Sequence, residues 1–141
     1  MSSFLRSALR ARTVPRYNNT AFRTTRTFTT TLPNMVVHNV NTLGEFKAAI
    51  ADHEKVLVDC FATWCGPCKA IAPILADMSN QEAYKDVYFI KLDVDEVPDA
   101  AQELGVKAMP TFYFFKNGEK VDDMMGANPA GLKSKAEALL A

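Results

Sequence analysis

Residues 56–68 have the sequence VLVDCFATWCGPC, and the rest of the chain is arranged around them. Val56 to Phe61 is almost continuously apolar, which is typical of a strand that is covered on both faces. After the second cysteine of the motif, apolar residues recur at helical spacing from Ile71 to Met78. The stretch therefore predicts a buried strand, then a pair of cysteines, then a helix.

Cys65 and Cys68 are separated by two residues, so both sulfurs can meet at the N-terminus of the following helix. The unpaired N–H groups and the dipole of a helix favour a thiolate at that end. Thiols in such motifs have pKa values of about 3.5 to 7.5 instead of about 8.5. We therefore expect Cys65, as the more exposed sulfur, to attack a substrate disulfide, and Cys68 to resolve the mixed disulfide.

Three other interpretations of this cysteine pair remain open. A structural disulfide that closes four residues would contribute about 2 kcal/mol, against about 4.7 kcal/mol for a hundred-residue loop. A zinc site needs two further ligands, and the chain offers only Cys60, His38 and His53, which lie in strand and helix patterns. The third is a chance pair in a loop, against which the strand-to-helix context argues.

Asp59 is anomalous because it lies inside the apolar strand, where an ionised carboxylate is costly to bury. If Asp59 is desolvated, its pKa is raised and it can exchange a proton near neutrality. Alternatively, it is a carboxylate at a strand end that reaches water or caps the next turn. The neighbouring Cys60 points to the opposite face of the strand, and we interpret it as a thiol of the core.

The 141-residue chain consists of two segments of opposite charge. Residues 1–34 contain six arginines and no acid, whereas the remainder has ten lysines against sixteen acidic residues. A mildly acidic body argues against nucleic acid as a partner. With 141 residues, 48% of them hydrophobic, the chain can form the hydrophobic core of one domain. No apolar run approaches the roughly 18 residues of a membrane span, so we expect no membrane insertion.

The arginine-rich leader, residues 1–35, is interpreted as a mitochondrial transit peptide that is cleaved, which predicts a location in the mitochondrial matrix. It is rich in Ser and Thr, and arginines interrupt its short apolar stretch, unlike a secretory signal. The stretch from Arg26 to Thr31 is similar to two-step processing signals, which would make Val36 the first residue of the mature chain. A chloroplast peptide or a solvated disordered tail are the alternatives.

Patterns outside the motif predict the remaining elements of a domain at residues 36–141. Strands are indicated at Val36 to Val40, Tyr84 to Asp93, 111–115 and Lys120 to Met125, and helices at 43–53, 98–104 and 129–140. Asn117-Gly118 indicates a tight hairpin between the last two strands. The resulting order β-α-β-α-β-α-β-β-α implies an α/β fold, with a central mixed five-stranded sheet flanked by four helices.

The motif, together with Met109-Pro110-Thr111 and Asn117-Gly118 downstream, resembles the thioredoxin family over residues 36–140. The resemblance implies the thioredoxin fold and a protein-disulfide reductase that carries electrons by reversible dithiol-disulfide exchange. Gly66 and Pro67, between the cysteines, are similar to those of the reducing members, whereas isomerases and oxidases usually have a histidine there. A thioredoxin-like isomerase or oxidase, or a non-catalytic binding module, is the alternative.

The resemblance also implies roles for residues around the cysteines. Asp59 matches a buried proton acceptor for Cys68, and Lys91 is its possible ion partner, unless it is an ordinary solvated lysine. Trp64 matches a surface aromatic that helps to shape the site.

Met109 and Pro110 match a substrate-binding segment in which the proline is cis. On physical grounds alone, Pro110 is an ordinary residue at the start of a strand. Gly126 matches a glycine that lets the partner's backbone approach, although it is also interpretable as a strand terminator.

No bound cofactor and no metal are expected in a member of this family. Electrons would come ultimately from NADPH through a thioredoxin reductase. The acceptors would be disulfide-containing proteins such as peroxiredoxins, and the protein itself is expected to be a monomer.

Overall fold

The computed structural model describes residues 37–141, so the predicted transit peptide at 1–35 and Val36 lie outside the described residues. No helix within residues 37–141 is long and apolar enough to cross a membrane. The regular elements are β1 Val37–Val40, α1 Leu43–Asp52, β2 Lys55–Phe61, α2 Gly66–Ser79, β3 Tyr88–Asp93, α3 Pro98–Leu104, β4 Thr111–Lys116, β5 Glu119–Met125 and α4 Pro129–Leu140.

The five strands form one mixed sheet in the order β1-β3-β2-β4-β5. β1, β3 and β2 are parallel, whereas β4 runs antiparallel to β2, and β5 runs antiparallel to β4. β2 is the central strand of the sheet. The helix that follows it, α2, therefore starts near the carboxyl end of the central strand. The predicted α/β fold, a mixed five-stranded sheet with four helices, is confirmed.

The side chains of β2 alternate between two apolar layers, because successive residues of a strand point to opposite faces. Leu57 packs with buried residues of α2 and α4, including Ile71 and Leu132. Val58 and Cys60 pack on the other face, where α1 and α3 supply buried residues. The strand is thus covered on both faces as its apolar sequence predicts. Asp59 lies on the same side of the strand as Leu57.

The prediction that the third strand starts at Tyr84 is wrong, since β3 begins at Tyr88. Residues Glu82–Tyr84 form one turn of 3₁₀ helix, and the N–H of Val87 donates to the carbonyl of Tyr84 at 2.9 Å. The ring of Tyr84 is buried and meets the ring of Phe89 edge-on at 6.4 Å between centroids. Tyr84 is therefore aromatic and buried like a strand residue, but it belongs to the turn before β3 and packs in the core with residues of α2 and α4.

The hairpin predicted at Asn117-Gly118 connects β4 to β5. Both residues have positive φ, 53° and 81°, as a type I′ turn requires. The register set by the turn shifts by one residue between Phe114 and Phe115, so that Thr111 pairs with Met125 at the far end of the hairpin. This end of β5 lies beside the segment that precedes β4.

Candidate active site

The junction between β2 and α2 places Cys65 and Cys68 at a helix N-terminus. Cys65 is the N-cap residue of α2, and its Sγ accepts a hydrogen bond from the N–H of Cys68 at 3.2 Å. The N–H of Cys65 donates to the carbonyl of Ala62 at 3.1 Å, which closes the turn before the helix. The two cysteines form a disulfide with a Cα–Cα distance of 5.3 Å. The sequence spacing therefore does produce a redox pair where the helix favours negative charge.

Cys65 is expected to be the more exposed sulfur of the pair, but in the disulfide form the two residues differ very little in exposure. Cys65 is 5% exposed and Cys68 is 4% exposed, because both pack with Ala62 and the partly buried Met109. What separates the two sulfurs is their environment. Only Cys65 has the cap position with an N–H group directed at its sulfur, whereas Cys68 lines a pocket together with Asp59.

Asp59 is buried behind the disulfide, with 3% of its surface exposed. Its Oδ1 atom has no hydrogen-bond partner among the described residues. Desolvation raises the pKa of this carboxyl from 3.8 to about 7, although the charge of Lys91 lowers it in part. A carboxyl with a pKa near neutrality can accept or release a proton at physiological pH.

Lys91 is the register neighbour of Asp59 on β3 and lines the same pocket. The two side chains form no ion pair within 4 Å, so the partnership suggested by the resemblance is through space and not a salt bridge. The Lys91 ammonium lies 5.6 Å from the centroid of the Phe61 ring, a cation–π distance. The charge of Lys91 therefore lies near the pocket, beside the Phe61 ring and without a salt bridge to Asp59.

Trp64 is 67% exposed, which agrees with a surface aromatic beside the cysteines. Its indole N–H donates to Asp95 Oδ2 at 2.8 Å. Asp95 in turn donates its backbone N–H to Asp93 Oδ1 at 2.9 Å. Asp95 was not identified from the sequence as a partner of Trp64. The indole N–H, which needs an acceptor, was the available signal.

Gly66 and Pro67 occupy the first turn of α2, and both are exposed. Proline is favoured at this point because the first N–H groups of a helix have no partner within the helix. No atom of residues 37–141 lies within 4 Å of the position that a Cβ on Gly66 would take. The two residues therefore leave open space directly beside the disulfide.

Met109, Pro110 and Gly126 lie together, and Met109 brings this group into contact with the cluster that contains the disulfide. The Met109–Pro110 peptide bond is cis, and Met109 packs against the cluster that contains both cysteines. The N–H of Gly126 donates to the carbonyl of Pro110 at 2.8 Å. Gly126 has a φ of 89°, which favours glycine, and open space lies where its side chain would be.

The third cysteine, Cys60, is fully buried in the core on the opposite face of β2. Burial raises the pKa of its thiol above the ordinary value, and the nearby Asp59 charge acts in the same direction. Such a thiol is a poor nucleophile, since the thiolate is the reactive form. Among residues 37–141, no group of three or more His, Cys, Asp and Glu side chains could hold a metal ion.

The chain was compared with known proteins. The thioredoxin family matches residues 36–138. Thioredoxin-2 of Pyricularia oryzae is 55% identical over 111 residues, which cover 79% of this chain and 64% of that protein. Thioredoxin-1 of Schizosaccharomyces pombe is 50% identical over 105 residues, which cover 74% of this chain and all of that protein.

Solved structures agree with this result. Mitochondrial thioredoxin 3 of Saccharomyces cerevisiae, in its oxidised form, has a TM-score of 0.69 at 42% identity, and covers 72% of this chain and 94% of its own. A structure from work on thiol resolution in yeast mitochondrial 1-Cys peroxiredoxin has a TM-score of 0.68 at 41% identity, with coverage of 72% and 94%. The chain belongs to the thioredoxin family of thiol–disulfide oxidoreductases, and Cys65 and Cys68 are its redox pair.

Proposed function

We propose that the protein reduces disulfides of other proteins in the mitochondrial matrix, with electrons that come from NADPH through a thioredoxin reductase. The observation that carries the proposal is the position of the Cys65–Cys68 pair at the N-terminus of α2, where Cys68 lines the same pocket as the buried Asp59. This arrangement supplies a stabilised thiolate and a proton acceptor in one site.

In the first step the Cys65 thiolate attacks one sulfur of a substrate disulfide. The substrate S–S bond breaks, a bond between Cys65 and the substrate forms, and the other substrate sulfur leaves as a thiolate. The N–H of Cys68, which donates to Cys65 Sγ in the disulfide form, stabilises negative charge at that position. Cys65 is therefore the nucleophile.

In the second step Cys68 gives its proton to Asp59 and attacks the Cys65 sulfur. The mixed disulfide breaks, the second substrate sulfur leaves as a thiolate, and the Cys65–Cys68 disulfide is closed. The two substrate thiolates then take up protons from the solvent. Asp59 suits this role because its pKa is about 7 and because it shares a pocket with Cys68. Two electrons from the reductase then restore the dithiol.

We further propose that substrates bind as extended segments across Met109, Pro110 and Gly126, next to the exposed Trp64. The open space beside Gly126 supports a close approach of a partner's backbone. Main-chain hydrogen bonds of this kind give affinity without demanding one side-chain sequence. A carrier that serves many proteins, among them peroxiredoxins, needs such tolerance.

Turnover of a protein disulfide tests the function directly. Catalytic amounts of the protein, with a thioredoxin reductase and NADPH, should drive continuous NADPH oxidation when insulin is the disulfide substrate. The measured reduction potential should lie near the thioredoxin value of about −270 mV and not near the value of about −120 mV of a strong oxidant. No turnover would favour a binding module, and a high potential would favour an oxidase or isomerase.

The leader is proposed to be a cleaved mitochondrial transit peptide, because its six arginines and absence of acids suit import into the matrix. Deletion of residues 1–35 should leave disulfide reduction unchanged and abolish import into isolated mitochondria. The full chain, imported in parallel, should become protease-protected and shorter. A truncated chain that fails to fold, or one that is still imported, would show that residues 1–35 have another function.

A further inference from the structure

The segment between α3 and β4, residues 105–110, has no regular secondary structure. Within it, Met109 packs against the cluster that contains both redox cysteines. Neither the N–H nor the carbonyl of Met109 forms a backbone hydrogen bond within residues 37–141. Pro110 has no N–H, so the N–H of Met109 is the last backbone donor before β4. The chain itself therefore leaves this donor unused beside the disulfide.

The carbonyl groups before and after Met109 are both held by hydrogen bonds. The hydroxyl of Thr111 donates to the carbonyl of Ala108 at 2.6 Å. The N–H of Gly126 donates to the carbonyl of Pro110 at 2.8 Å. The free backbone groups of Met109 thus lie between two fixed carbonyls, and the first of these is fixed by a side chain.

Thr111 is a firm anchor for this bond because it is the first residue of a strand that is paired on both sides. Its register partners are Cys60 on β2 and Met125 on β5. Only 2% of its surface is exposed, and a β-branched side chain has few rotamers. Ala108, in contrast, is exposed and lies outside the sheet. The hydroxyl therefore ties a loop carbonyl to the sheet.

The carbonyl of Ala108 and the N–H of Met109 belong to the same peptide group. This group is trans and planar, so its carbonyl and its N–H point in opposite directions. A hydrogen bond that fixes the direction of the carbonyl therefore also fixes the direction of the N–H. It polarises the peptide group as well, which makes the N–H a better donor.

We propose that Thr111 is a positioning residue, whose hydroxyl orients the N–H of Met109 for a main-chain hydrogen bond to the substrate. Thr111 acts through the peptide group and takes no part in the sulfur chemistry. A disulfide within an extended polypeptide gains from this bond, whereas a small disulfide without a peptide backbone does not. The inference rests on the proposed binding of extended segments across Met109, Pro110 and Gly126.

Two variants separate the hydroxyl from the shape of the side chain. Thr111→Val keeps the branched shape without the hydroxyl, and it should fold because valine is favoured in strands. Thr111→Ser keeps the hydroxyl. In ¹⁵N relaxation measurements, the Met109 amide should have an order parameter near the rigid value of about 0.85 in the natural chain and in Thr111→Ser, and a lower value in Thr111→Val. An equally ordered amide in Thr111→Val would overturn the orienting role.

The rate of attack on two kinds of disulfide measures the consequence for substrates. Thr111→Val, reduced beforehand with dithiothreitol, should attack insulin about three- to tenfold more slowly than the natural chain, the effect of weakening one hydrogen bond. Its attack on 5,5′-dithiobis(2-nitrobenzoate), which has no peptide backbone, should be unchanged, and Thr111→Ser should attack insulin at nearly the natural rate. An equal fall for both disulfides, or equal losses in both variants, would overturn the proposal.

Ser79→Ala is the matched control. The hydroxyl of Ser79 donates to the carbonyl of Ala76 at 2.7 Å, and Ser79 is 5% exposed, but it lies at the end of α2 remote from the cysteines. Loss of this bond should leave the Met109 amide and both rates unchanged, and a fall for insulin alone in Ser79→Ala would contradict the assignment to Thr111. The order parameter is measured on the chain alone. It therefore decides the role of Thr111 even if a natural chain that fails to reduce insulin refutes the proposed function.

Discussion

Replacement of Cys68 by serine should convert the protein into a trap that holds its substrates as stable mixed disulfides through Cys65. The variant retains the nucleophile and the backbone N–H that donates to its sulfur, but it lacks the thiol that completes the reaction. Steady-state turnover should fall by about a thousandfold or more, as for loss of other essential nucleophilic groups. Capture of substrates from a mitochondrial extract, followed by non-reducing electrophoresis, measures the trap.

Cys65→Ser is the reciprocal variant, and it should trap almost nothing, because only the Cys65 sulfur has the cap position in which a backbone N–H stabilises a thiolate. Cys60→Ala is the control for the third thiol, which lies in the core on the other face of β2. It should keep turnover near the natural value. Equal trapping by the Cys65 and Cys68 variants would contradict the assigned roles.

Asp59→Asn should make the protein more stable at pH 8 than the natural chain. Burial raises the pKa of Asp59 from 3.8 to about 7. Each unit by which the pKa is raised is equivalent to about 1.4 kcal/mol, so the gain in the free energy of unfolding has an upper bound of about 4 kcal/mol. A buried asparagine amide also leaves donors unpaired, at a cost of about 1 to 3 kcal/mol. We therefore expect a net gain of about 1 to 3 kcal/mol.

The sign of this effect follows from proton binding. Between pH 3.8 and about 7 the unfolded chain has released a proton that folded Asp59 still retains. The free energy of unfolding of the natural chain therefore falls as pH rises through this window, and the penalty is complete above it. The advantage of Asp59→Asn should grow over the same window, and near pH 4, where the natural chain has no such penalty, only the cost of the buried amide should remain, so the variant should be slightly less stable there.

Denaturant titrations at pH 4 and pH 8 measure this difference, and Asp86→Asn, at an exposed turn residue, is the matched control. The control should change stability by less than about 0.5 kcal/mol at either pH. Single-turnover reduction should show slower resolution in Asp59→Asn with little change in the first attack. A variant that is no more stable at pH 8, or that resolves as fast as the natural chain, would show that Asp59 is not the buried proton acceptor.

Much of the fold was predictable because the signals are local. The apolar run before the cysteines indicated a strand covered on both faces, and Asn117-Gly118 indicated the hairpin, since such a turn needs residues that tolerate positive φ. The redox pair was predictable for the same reason. Two cysteines within one helical turn are brought together by the helix itself, whatever surrounds them.

Other features depended on contacts between residues far apart in the chain. The indole of Trp64 is bonded to Asp95, 31 residues later, and Lys91 is beside Asp59 only because β3 pairs with β2 in one register. Tyr84 is aromatic and buried like a strand residue, yet it lies in a 3₁₀ turn, from which its ring packs against Phe89. Short-range periodicity and turn chemistry were enough to predict the order of the elements and the position of the dithiol. The tertiary structure decided which charges and aromatic rings surround that dithiol, because strand order, register and burial arise only when distant segments pack together.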